Sequence, residues 1–300
     1  MKSLDTLLAK QNLAPQELGK GRNVWYCMGY ILSVGKAEAV ALHDCDIVTY
    51  SRSLLARLVY PVANPKFNFD FCKGYYPRVS ENKVKGRVAR LLVTPLLRAL
   101  EKTIGFNEFI SFVDSFRYPL AGEFSFRRRV LKDIRIPYDW GLEIGVLSEM
   151  FRNYAGNRLC QVDIADNYDH KHQDIFFDDN SKGLSKMSID IIKVIIRKLA
   201  SQGEPFSMSI FRSLKATYYR EALDFVQIYK KDALMNAYDI DVHEEETAVE
   251  LFAKNIMVAG QVFLDSPMES PNIPTWSRVD TALPGFLNDL RKAVEIDNKS

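Results

Sequence analysis

Hydrophobic positions along this chain keep two rhythms, and the change between them falls near residue 183. Before it, short apolar runs of strand length alternate with segments in which apolar residues recur every three or four positions. After it, helical spacing persists over long stretches and predicts helices over 184–201, 207–235 and 243–260, with a last one near 284–295. The intervening "LDSPMESPNIPTW" carries three prolines and reads as an irregular excursion. There is no internal repeat and no low-complexity tract. The pattern predicts an α/β part followed by a helical part.

Within the first part, "MKSLDTLLAK" predicts a short amphipathic helix before a break at Pro15. Val24, Met28, Ile31 and Leu32 share one face of a helix over 23–34, and Gly35, tolerant of positive φ, is placed to end it. Residues 39–43 are continuously apolar, which predicts a fully buried strand of the parallel-sheet type with neighbours on both sides. Ser51 caps a helix reaching to Pro61, and "FNFDFCKGYYPRV" alternates as a strand does. "GRVARLLVTPLLRALEKTI" is helical with a bend expected at Pro95. "SFRYPLAGEFSFRRRVL" reads as strand, turn and helix, and "CQVDIADNYDHKH" as a strand running into a polar loop.

Composition narrows the class. Three hundred residues, 47% hydrophobic and 26% charged, describe a globular protein with a sizeable core. Forty basic residues against 38 acidic ones leave a net charge of +2, which lacks the electrostatic footprint of a nucleic-acid binder. The four cysteines are scattered without a C-x-x-C pair, as in a reducing cytosol. No run of 18 apolar residues and no signal-like start occurs, so neither membrane span nor leader is expected and the chain reads as cytoplasmic.

The candidate chemistry sits at strand ends. In "AVALHDCDIV", Asp44 and Asp46 are two apart, so on an extended chain both carboxylates reach one side and can share a hard cation such as Mg²⁺ or Mn²⁺. An ordinary polar turn explains a lone D-x-D equally well. Lys20 lies between Gly19 and Gly21, which permit close backbone approach and leave the ammonium free to meet a phosphate. "YDHKHQD" holds His170, Lys171 and His172, a set suited to a metal ligand and phosphate contacts or simply to a solvated loop. Glu143, in "DWGLEIG", opens a helix running to about residue 152, where the helix dipole alone justifies a carboxylate. The consecutive arginines of "FRRRVLKDIR" point to different faces, which favours capping and ion-pair roles over nucleic-acid binding.

Taken in order, "GKGRNVW", "ALHDCDI", "KGRVARLLVTPLL", "YPLAGEF", "WGLEIGVL" and "QVDIADNYDHKHQD" resemble the glucosyl-3-phosphoglycerate synthases, over a span from about residue 13 to beyond residue 190. The resemblance implies a GT-A (Rossmann-like) α/β core over residues 1–182 and a helical C-terminal region over 183–300 that makes a homodimer. It implies a metal held by Asp46, Asp44 and His170, and a nucleotide-sugar donor met by Lys20, Gly21 and Asp44. Gly86, Arg87, Lys171 and His172 match acceptor contacts, Leu120 matches the residue whose carbonyl orients the acceptor hydroxyl, and Glu143 matches a carboxylate near the transferred sugar. Ala89 stands where the family often has Thr, and His172 where an arginine is sometimes found. The family opens with further strands and helices that hold the nucleotide base ahead of the GKG turn, so the core is expected to be N-terminally incomplete.

The implied reaction is metal-dependent, retaining transfer of glucose from a nucleotide-glucose to 3-phosphoglycerate. Mannosyl transfer to the same acceptor is the alternative within the class, since one axial or equatorial hydroxyl is not legible in a sequence. An impaired fragment serving as an oligomeric or regulatory subunit is the alternative outside it. RNA binding through residues 127–135 lacks the aromatic interleaving of a stacking platform.

Overall fold

The computed structural model of the protein describes residues 2–15, 18–169, 183–267 and 272–298. Helix α1 (Lys2–Ala9) and helix α2 (Lys20–Val34) precede strand β1 (Ala39–Leu42). Gly35 closes α2 at φ 71°, its N–H donating to the Ile31 carbonyl. Helix α3 (Arg52–Ala63) is capped by the Ser51 hydroxyl, which accepts from the Leu54 N–H at 3.4 Å. Strand β2 (Phe71–Tyr75) leads into a small hairpin of β3 (Val79–Ser80) and β4 (Lys83–Val84). A π-helical turn (Val88–Val93) runs into α4 (Thr94–Ile104), followed by α5 (Glu108–Asp114), β5 (Phe124–Arg127), α6 (Leu142–Asn153) and β6 (Leu159–Asp163). The last elements are α7 (Gly183–Ser201), α8 (Met208–Met235), α9 (Val242–Asp265), α10 (Trp276–Ala282) and α11 (Phe286–Asp297).

Four strands make one sheet in the order β1-β5-β2-β6. β5 is antiparallel to both β1 and β2, while β2 and β6 are parallel. It follows that β1, β2 and β6 all run the same way and their carboxyl ends share one edge with the start of β5. The sheet separates two apolar clusters with a period of two. Val40, Leu42, Phe71, Phe124 and Phe126 face the large core, while Ala39, Ala41, Cys72 and Cys160 face a smaller cluster with Leu54, Leu58 and Val62 of α3.

This arrangement corrects the expectation for residues 39–43. β1 pairs antiparallel with β5, is half-buried, and has its neighbour on one side only among the described residues. Its continuous apolar run has another cause: helices cover both faces, so every position meets a core. The bend expected at Pro95 is a change of helical register instead. Pro95 has no N–H for the Leu91 carbonyl four residues back, and that carbonyl accepts the hydroxyl of buried Tyr218 at 2.6 Å. Helix α3 continues through Pro61 to Ala63.

The "FRRR" arginines are spent on structure. Arg127 continues β5 and donates to the Phe69 carbonyl, Arg128 to that of Gly35, and Arg129 grips the buried Asp70 carboxylate with two bonds of 2.7 and 2.8 Å. The large core runs without a break from α2 and α4–α6 into α7–α9. Among the described residues α9 is the one helix long and apolar enough to cross a bilayer, and more than half of its most apolar window is packed inside the protein.

Candidate active site

The carboxyl edge of β1 opens into a cleft of about 830 Å³. Lys20, Asp44, Asp46, Gly86, Arg87, Leu120 and Glu143, all singled out in the sequence, line it. Their elements explain the convergence. Asp44 and Asp46 follow β1, Leu120 belongs to the turn before β5, Lys20 and Glu143 stand in the first turns of α2 and α6, and Gly86–Arg87 enter the π-helical turn. The two aspartates lie in the turn beyond the strand rather than on it.

Lys20 is the electrostatic centre of this cleft. Its Nζ lies 2.5 Å from Asp44 Oδ1 and 2.8 Å from Glu143 Oε1. Burial alone would lower its pKa, but Glu143 and then Asp44 outweigh that and hold it well above the ordinary lysine value. The ammonium therefore stays charged at any physiological pH and binds two carboxylates that would otherwise repel. The glycines beside it serve its placement. A Cβ on Gly19 would fall 2.2 Å from the Tyr138 carbonyl oxygen, and one on Gly21 1.8 Å from that of Pro137. Only glycine lets the start of α2 lie this close to the chain leading into α6. Gly21 is buried against that chain and does not line the cleft.

Two buried charges beneath the cleft escaped the sequence reading. Glu123 is fully buried, and its Oε1 and Oε2 accept the Tyr168 and Tyr76 hydroxyls at 2.7 Å each. Oε1 also accepts the Asp44 N–H at 3.4 Å. Burial, with the Asp44 charge nearby, raises the Glu123 pKa above the usual carboxylate range. Lys73, 1% exposed on β2, donates to the Ala121 carbonyl at 2.6 Å and so anchors the loop that carries Leu120. Burial pulls its pKa down to about 8 against the pull of Glu143 and Glu123. His43 lines the cleft as well; burial lowers its pKa, and neither ring nitrogen has a hydrogen-bond partner among the described residues. Lys73 and Glu123 sit in "FCKGYY" and "AGEFSF", where alternation alone reads them as ordinary outward positions.

Arg87, matched to an acceptor contact by the resemblance, also has structural partners. Its Nε donates to Glu245 Oε1 and its Nη2 to Glu244 Oε2, both at 2.9 Å, across to α9. Glu245 is buried, and its Oε2 lies 2.7 Å from Arg90 Nη1, close enough for an ion pair though not aligned for a hydrogen bond. The unfavourable dipole at a helix start is thus offset by carboxylates 157 and 158 residues away. Ala89, which stands where the resemblance expects threonine, lines the cleft.

The expected third metal ligand His170, and the acceptor contacts Lys171 and His172, lie outside the described residues. Among the described residues no cluster of three or more His, Cys, Asp or Glu side chains forms a closed ligand set. Asp44 and Asp46 supply two hard oxygen donors to one cavity, a fit for a divalent ion of the Mg²⁺ or Mn²⁺ kind. The Asp44 carboxylate is cradled against Gly122, where a Cβ would come within 2.5 Å of both its oxygens.

Comparison with known proteins gives two strong relatives. The chain is 48% identical over 280 residues to the glucosyl-3-phosphoglycerate synthase of Persephonella marina, covering 93% of this chain and 69% of that protein. It is 38% identical over 284 residues to the protein of the same name from Methanococcoides burtonii, covering 94% and 69%. Among solved structures it is similar to glucosyl-3-phosphoglycerate synthase from Mycobacterium tuberculosis in complex with phosphoglyceric acid. That match has a TM-score of 0.47 and 23% identity, and covers 65% of this chain and 59% of the other. No protein-family model matches the chain.

Proposed function

The chain belongs to the glucosyl-3-phosphoglycerate synthase family of glycosyltransferases, and on that premise we propose that it transfers glucose, with retention of configuration, from a nucleotide-glucose to the 2-hydroxyl of 3-phosphoglycerate. The observation that carries this reading is the meeting of Lys20, Asp44, Asp46, Gly86, Arg87, Leu120 and Glu143 around one cleft. These residues are spread over more than 120 positions of chain, and nothing in an ordinary core requires them to converge.

Asp44 and Asp46, with His170, would hold a divalent cation, which supplies charge neutralisation for a departing diphosphate. Lys20 contributes a permanent positive charge beside Asp44, suited to the same phosphates. Glu143, fixed by Lys20, stands at the cleft where the transferred sugar is expected, and the carbonyl of Leu120 would orient the acceptor hydroxyl. Front-face attack assisted by the leaving phosphate is the mechanism this family membership implies. Residues 1–182 would carry the catalytic core. The region 183–300 closes one wall of the cleft through Leu184, Met187 and Ile191, and is our candidate for a homodimer contact.

A thermal-shift screen of nucleotide sugars with and without Mn²⁺ tests the assignment. A nucleotide-glucose should raise the melting temperature more with Mn²⁺ than without it. Equal shifts with and without the ion, or none for any nucleotide sugar, would remove the donor site from this cleft.

A further inference from the structure

The cleft holds a second arginine that the family resemblance does not single out. Arg78 follows β2 and precedes the β3–β4 hairpin, and it lines the same cavity as Gly86 and Arg87. Its guanidinium carbon sits over three tyrosine rings, 5.6 Å from the centroid of Tyr118 and 5.9 Å from those of Tyr76 and Tyr168. Its Nε is buried and has no hydrogen-bond partner among the described residues. Among the described residues no carboxylate forms an ion pair with it, whereas Arg87 already faces Glu244 and Glu245. Burial is the leading cause that raises the pKa of the Tyr76 and Tyr118 phenols, so neither supplies a neutralising phenolate near pH 7. Glu123, the nearest carboxylate to these rings by hydrogen bonding, is already engaged by Tyr76, Tyr168 and the Asp44 amide.

Local packing keeps the side chain aimed this way. The Arg78 carbonyl accepts the Lys85 N–H at 2.7 Å, which closes the hairpin. Gly86, at φ 75°, leaves room for the Arg78 stem, since a Cβ there would stand 3.2 Å from Cγ. A guanidinium attracted to aromatic rings is held in place without using its N–H donors, which stay available for a bidentate oxyanion. A buried Nε–H without a partner costs stability in the unliganded protein, a cost removed when an anion accepts from it.

We propose that Arg78 is the principal receptor for the anionic group of the acceptor, with Arg87 a pre-neutralised neighbour that ties the cleft to α9. This rests on the transfer reading above for the identity of the acceptor, and the chemistry it claims is an oxyanion, phosphate or carboxylate.

Calorimetry with 3-phosphoglycerate, glycerol 3-phosphate and glycerate, on the wild type, Arg78→Gln and Arg78→Lys, tests it. Arg78→Gln should weaken 3-phosphoglycerate by at least about tenfold, with nucleotide-glucose affinity within about twofold of the wild type. Arg78→Lys, which keeps the charge and stem but loses the fork, should fall between them. Loss confined to 3-phosphoglycerate and glycerol 3-phosphate assigns Arg78 to the phosphate; loss shared with glycerate assigns it to the carboxylate. Unchanged acceptor affinity in Arg78→Gln with a wild-type melting temperature overturns the proposal. Should Arg78→Gln fail to fold, wild-type affinity in Arg78→Lys overturns it instead. A wild type that binds glycerol 3-phosphate through Arg78 but not 3-phosphoglycerate would sink the acceptor assignment and leave Arg78 as the anion receptor. A wild type that binds none of the three overturns the receptor itself.

Discussion

Replacing Lys20 with methionine keeps the length of the side chain and removes the charge between Asp44 and Glu143. The wild-type distances are 2.5 and 2.8 Å, with Lys20, Asp44 and Glu143 side chains 25%, 28% and 9% exposed. Exposed ion pairs contribute about 0–1 kcal/mol and breaking a buried one costs about 3–5 kcal/mol. This site lies between those limits, so Lys20→Met should cost about 2 kcal/mol, most of it from leaving the buried Glu143 unpaired beside Asp44. Glu143→Gln alone should cost less, because Lys20 keeps Asp44. In the double variant the buried Glu143 charge is gone and only the more exposed Asp44 is left unpaired, so the combined loss should fall short of the sum by about 1 kcal/mol. Urea unfolding of all four proteins, with a shared m-value, measures the cycle. Additivity within about 0.5 kcal/mol would refute the clamp as an energetic unit.

Glu245→Ala should destabilise the protein by about 3 kcal/mol, since it strands buried Arg90, whereas Arg87→Ala should cost about 1 kcal/mol because Arg90 still answers Glu245; equal losses in urea unfolding would contradict the unequal burial of the two arginines. Lys73 titrates at about 8 in the folded protein against an ordinary 10.5, so the unfolded chain binds more protons between those values. Stability should therefore rise with pH from about 8 to about 10.5, by about 3 kcal/mol from this group, and Lys73→Met should remove that rise. A pH profile identical in wild type and variant would show that burial does not depress this lysine. Gly21→Ala places a methyl 1.8 Å from the Pro137 oxygen and should lower the melting temperature and acceptor turnover together, because α2 must retreat and carry Lys20 with it.

Much of the fold could be read along the chain because its signals are local. Ser51 caps α3 and Gly35 ends α2 by rules that involve only a few neighbouring residues. The long C-terminal helices follow from apolar spacing, and the observed bounds of α7, α8 and α9 sit close to the expected ones, α9 running five residues further. The polarity of the sheet was less accessible. A continuous apolar run shows that both faces of β1 are covered, but it is silent on which way the neighbouring strand runs.

The site was legible as a set of residues and not as a network. Asp44, Asp46, Lys20, Glu143 and Arg87 all reach the cleft. Their partners, however, are set by packing across distances no window covers: Lys20 to Glu143 spans 123 positions and Arg87 to Glu245 spans 158. Those long-range carboxylates pair Arg87 with partners that no local pattern indicates. Lys73 and Glu123 were passed over because their burial depends on a loop, 118–123, folding back over β2.

Formation of a glucosylated 3-phosphoglycerate by this protein is the most direct test of the transfer reading. Incubation with UDP-, ADP- and GDP-glucose, 3-phosphoglycerate and Mn²⁺, followed by NMR of the product's anomeric position, answers this in one measurement. On the transfer reading, glucose should pass from at least one of these donors, with the donor's anomeric configuration preserved and transfer abolished in Asp46→Asn. Inversion at the anomeric carbon, transfer unaffected by Asp46→Asn, or no glucosylated 3-phosphoglycerate from any donor would contradict it.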